Sequence, residues 1–168
     1  MMRRLIAIML VMVSACPVHA VMTPEQALYD KVQNAIKTQN MKLLSDYEYD
    51  KIADYMSEGK KRWIEMYPYF QNEPFSGMTH FQEGLNISMA YAMSINPVET
   101  LKFVDKYNVD EICGVPFIEP TIDEVYSYYL KTRVALMAHG SENPWGAKCL
   151  SVLDNTMQDI KTLHADEK

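Results

Sequence analysis

The sequence predicts an all-α fold, a single compact domain of about six to seven helices packed as antiparallel hairpins and held by one disulfide. Capping pairs recur along the chain, and apolar residues repeat at helical spacing. No alternating apolar and polar run bounded by turn residues is long enough for a strand. The capping pairs are Thr23 with Gln26, Ser45 with Glu48, Thr79 with Gln82, Asn96 with Glu99, and Thr121 with Glu124. In each, a short polar side chain can satisfy an N–H group that the first helical turn leaves unpaired, and the second side chain can reach back to the cap.

The first helix is expected over Pro24–Thr38, with Pro24 where a missing N–H is harmless and Leu28, Val32 and Ile36 on one face. The second, Asp46–Ser57, turns Ile52 with Tyr55 or Met56 inward and its acids outward. Gly59 breaks that pattern, and residues 60–67 read as a shorter helix with Trp63, Ile64 and Tyr67 inward, ended by Pro68. Residues 71–77, with Pro74 and Gly77, read as a loop. The strongest core candidate is 80–95, where Phe81, Leu85, Ser88, Met89, Ala92 and Met93 form an apolar or small-residue stripe. Asn96-Pro97 ends that helix and opens another over 98–107 with Leu101 and Val104 inward. A short turn over 110–113 stops at Gly114, and Pro116 and Pro120 make 115–120 extended. A long helix over 122–138 is expected to bury Val125, Tyr129, Val134 and Met137 before His139-Gly140. The last begins after Asn143-Pro144 and carries Trp145, Cys149, Val152, Leu153, Met157 and Ile160 inward.

With 168 residues, 48% hydrophobic and 23% charged, the chain can build one packed core. Arg3-Arg4, the apolar run 5–13 and the exit Val18-His19-Ala20 together have the three parts of a secretory signal. Residues 1–20 are therefore read as a cleaved leader and 21–168 as an exported, periplasmic domain. The apolar run is too short to span a bilayer. A second reading takes Val13-Ser14-Ala15-Cys16 as a lipobox, with Cys16 lipidated and the protein anchored in a bacterial envelope. Loss of Arg3 and Arg4 leaves 14 basic against 22 acidic residues, a formal charge of −8. Such a surface repels nucleic acid and favours a neutral or basic partner or another protein. Cys113 and Cys149 remain, and an even count in an exported chain is read as a disulfide between them.

Chemistry-bearing patterns are incomplete. Asp46-Tyr47-Glu48-Tyr49-Asp50 opens like a calcium loop, but Lys51 stands where the turn needs Gly and Ser57 where a bidentate acid belongs. His80 and Glu83 have half the spacing of a helical metal site, without its other half. Neither a nucleophile elbow nor a phosphate-cradling glycine loop occurs, so no metal or cofactor is expected and binding is favoured over catalysis. The rings between Tyr47 and Phe75 are too many for one buried face, which makes Tyr47, Tyr49, Trp63, Tyr67 and Tyr69 candidates for an aromatic and acidic recognition surface. The expected partner is a protein, engaged for example as by an inhibitor or immunity protein. A small ligand or peptidoglycan in a ring-lined cleft is the alternative, and a hydrolase with a histidine–acid cleft the third reading. In size, export, acidity and helix content the chain resembles the periplasmic immunity proteins that neutralise cell-wall amidase toxins of type VI secretion. No motif matches them residue by residue, and no site is carried over.

Overall fold

The computed structural model describes residues 22–117 and 120–166, with side chains to residue 163. The expected leader and Cys16 lie outside these residues. Helix α1 (Pro24–Thr38) opens with Thr23 accepting the Gln26 N–H and closes at Gln39, whose φ of 51° is left-handed. A 3-10 turn (Met41–Leu43) leads to α2 (Asp46–Ser57), where Ser45 and Glu48 complete the reciprocal capping box. Both helices have the boundaries that caps and periodicity predict.

Beyond Gly59 the chain differs from the single helix expected over 60–67. It forms α3 (Lys61–Ile64) and then α4 (Tyr67–Phe70), because Pro68 sits in the first turn of α4 and so starts a helix rather than ending one. Helix α5 (Thr79–Met93) lacks the Thr79 cap. Gln82 instead donates its amide to the carbonyls of Phe70 and Phe75, fastening the preceding turn to the helix. Asn96 caps α6 (Pro97–Thr100), which tightens into a 3-10 turn (Leu101–Phe103) and stops short of residue 107. The cause is local: Asp105 accepts the N–H groups of Tyr107 and Asn108, and Asn108 accepts that of Asp105, so side chains replace the helical ladder. Helices α7 (Val109–Cys113), α8 (Ile122–His139) and α9 (Gly146–Asp166) complete the described chain. Thr121 and Glu124 make the second reciprocal box, at the start of α8.

Helix α5 is central, with Phe81, Leu85, Ser88, Met89, Ala92 and Met93 all buried as its spacing predicts. It packs on α2 and α7; α7 in turn packs on α9, and α9 on α8. Tyr129 and Arg133 of α8 both reach Asp154 of α9, while Val125 lies with Ile160 near the other end, an antiparallel pair. The α2–α5 pair runs the other way. Tyr49 meets Phe81 at their starts (4.6 Å between ring centroids), and Asn96, just past α5, donates to the Gly59 carbonyl just past α2 (3.0 Å). The two helices are parallel because α3 and α4 carry the chain back between them. Gly59 adopts φ +72°, and a Cβ there would come within 2.7 Å of Ile95 Cγ2. Cys113 and Cys149 form the predicted disulfide, joining α7 to α9 with 4.9 Å between Cα atoms.

The inward face of α8 keeps Val125 of the expected stripe but continues through Tyr128, Thr132 and Leu136. Val134 and Met137 point to solvent, and Tyr129 is half-buried. Among the described residues no helix is long and apolar enough to cross a membrane.

Candidate functional site

The five aromatic candidates separate into a buried and an exposed set. Trp63 is wholly buried, edge-on to Tyr29 and stacked on Tyr55, with its indole N–H donating to Glu25 Oε1 at 2.9 Å. Tyr49 packs against Phe81 and donates to the Met41 carbonyl at 3.0 Å; burial, with the charge of Asp46 adding, pushes its phenol up to about 12. Tyr67 donates to Asn86 Oδ1 at 2.7 Å and accepts from Asn108 Nδ2 at 3.3 Å, and burial raises it likewise to about 12. Those three rings hold helices together; none is freely exposed, although edges of Tyr49 and Tyr67 line neighbouring hollows. Tyr47 and Tyr69 stay exposed, Tyr47 with the Lys51 ammonium 5.6 Å from its ring centre.

What the sequence did not reveal is the groove made where α2 and α5 start side by side. It encloses about 600 Å³, with Asp46, Asp50 and Ala53 on one wall and Met78, His80, Glu83 and Ile87 on the other. Tyr49, Thr79, Phe81 and Gly84 form the rest of its lining. Three carboxylates and one imidazole border an apolar floor, and no lysine or arginine lines it. Glu48, the middle acid of the calcium-loop-like run, points elsewhere: it binds the Ser45 cap and the Lys31 ammonium (2.6 Å), contacts that hold its carboxyl below the usual range. Among the described residues no three His, Cys, Asp or Glu side chains gather as metal ligands, and His80 hydrogen-bonds none of the neighbouring acids. The signal for the groove was present but divided. Asp46 and Asp50 are one turn apart on α2, His80 and Glu83 nearly one turn apart on α5, and only the parallel packing joins them.

A second hollow, about 540 Å³, lies beside Tyr67 and is lined by carboxamides (Gln71, Asn72, Asn86, Asn108) and by the ring of Tyr107.

Comparison with known protein families, with curated proteins and with solved structures gives no match. The fold and its grooves define the class, an all-α, disulfide-bonded domain with an acidic inter-helical groove.

Proposed function

We propose that the chain is an exported, periplasmic binding protein that engages a protein partner, as an inhibitor or immunity protein does, through the α2–α5 groove and the adjoining Tyr47. One observation carries this reading: an apolar floor is bordered by Asp46, Asp50 and Glu83 with no lysine or arginine in the lining. Such a surface suits an apolar side chain on a basic segment of a partner, since the floor supplies burial and the rim supplies charge complementarity. Export is supported by the leader-like pattern of residues 1–20 and by the disulfide, which suits an oxidising compartment. Cys16 as a lipid anchor remains the second form of the same reading.

Gly84 provides the test, because a Cβ there meets nothing within 4 Å. Gly84→Leu fills the groove while favouring the helix, and Asp46→Lys with Asp50→Lys reverses the rim. A stoichiometric partner crosslinked to the wild-type protein and purified should bind both variants at least roughly tenfold more weakly. Unchanged affinity in both variants overturns the groove as the site.

The carboxamide hollow beside Tyr67 favours the alternative, a sugar or peptidoglycan fragment held by amides and stacked on Tyr107. Binding of muropeptides that Tyr107→Ala abolishes and Gly84→Leu leaves intact would select it.

A further inference from the structure

The outer face of α8 is as apolar as its inner face. Ile122, Tyr126, Leu130 and Val134 follow one another every four residues and are 39%, 46%, 45% and 66% exposed, with Met137 beside them. This ridge lies opposite Val125, Tyr128, Thr132 and Leu136, the face turned into the core. A soluble helix with an apolar stripe on both sides has a second packing surface. We infer that this surface is the contact between two copies of the chain, their α8 helices lying antiparallel about a two-fold axis.

The sequence along the ridge argues for a second copy. Ile122, Tyr126, Leu130 and Val134 set against the same four residues in reverse order pair Ile122 with Val134 and Tyr126 with Leu130, so the ridge complements itself. Charge follows the same register. The first turn of α8 holds Asp123 and Glu124, and Lys131, Arg133 and His139 come later. Glu124 closes the cap on Thr121 and Arg133 pairs with Asp154, whereas Asp123 and Lys131 form no ion pair among the described residues. On a helical projection Asp123 and Lys131 lie along the same side of the ridge. In the antiparallel register Asp123 and Lys131 of the second copy fall on the same side of the contact, two residues (about 3 Å) apart along the axis and within reach of a lysine side chain, and the two-fold makes that pair twice. The antiparallel arrangement also sets opposed helix dipoles side by side. No residue of this ridge lines the α2–α5 groove, so the inference stands apart from the proposed binding role.

Sedimentation velocity on the oxidised protein, recovered from cells expressing the complete chain, tests this across the micromolar range. The expected species has twice the monomer mass. Leu130→Asp buries charge at the crossing and should weaken association by roughly a hundredfold or more, with circular dichroism unchanged because Leu130 packs no core. Asp123→Lys faces like charges across the axis and should weaken it by about tenfold, and adding Lys131→Asp should restore it. A monomer throughout, a dimer unaffected by Leu130→Asp, or a charge swap that fails to restore association overturns the inference.

Discussion

Glu25 accepts two hydrogen bonds at once, from the indole N–H of Trp63 at 2.9 Å and from the Lys60 ammonium at 2.8 Å, and so ties the start of α1 to α3. Trp63 is therefore a structural residue. Trp63→Ala should lower stability by about 3–5 kcal/mol through the cavity it leaves. Trp63→Phe keeps a ring between Tyr29 and Tyr55 and should lose only about 1 kcal/mol with the bond to Glu25. Urea unfolding of both variants checks the ratio; equal losses would place the contribution in the hydrogen bond instead.

Acid should weaken the fold through carboxylates held low by their partners, three of them paired with lysines and a fourth, Glu124, held by the Thr121 cap. Glu25 is held below its ordinary value of 4.5 by the Lys60 and Trp63 bonds, Glu48 by Lys31 and the Ser45 N–H, and Glu99 by Lys102 and Lys61. A carboxyl whose pKa is lower folded than unfolded binds protons more readily in the unfolded chain. The stability from these groups is thus complete above the unfolded value and is lost as pH falls below it. The urea midpoint should drop between pH 6 and pH 3, and the triple variant with Gln at 25, 48 and 99 should show a shallower drop.

Reduction of Cys113–Cys149 opens a loop spanning 36 positions and should destabilise the protein by roughly 4 kcal/mol in the chain-entropy account. The comparison is between unfolding midpoints of the oxidised protein and the Cys113→Ser, Cys149→Ser variant. Because Cys149 is buried in the face that α9 turns to α7, loosening should appear in these two helices first by amide exchange.

Two glycines should respond to alanine in opposite directions. Gly59→Ala forces a side chain into left-handed backbone and against Ile95, a loss of about 1–2 kcal/mol or more. Gly84→Ala, inside α5 with open space around it, should gain about 0.5–1 kcal/mol. Thermal midpoints of the two variants should move apart.

Much of the secondary structure was legible because it is written locally. Ser45 with Glu48 and Thr121 with Glu124 mark helix starts by chemistry confined to four residues, and α1 and α2 have the predicted bounds. Legibility failed where one signal served two structures. Pro68 can stop a helix or start one, and its place in α4 depends on the chain bending at Glu65 and Met66. Helix α8 is apolar on two faces, so periodicity alone could not choose between Val134 and Leu136 for the core. Tyr49 shares a face with Ile52 and Met56 at spacings of three and four, a sign of burial masked by its acidic neighbours. The groove was unreadable for a different reason, because its walls are more than twenty residues apart in sequence.

The parallel pairing of α2 and α5 fixes an order of events during biosynthesis. Ile52 and Met56 are fully buried, and the helix against which α2 chiefly packs begins only at Thr79. A chain delivered amino end first thus presents the inner face of α2 bare until α3, α4 and the first turns of α5 have emerged. Whatever handles the nascent polypeptide meets an apolar helix without its seat, and a stall within that interval leaves a fragment that cannot cover itself.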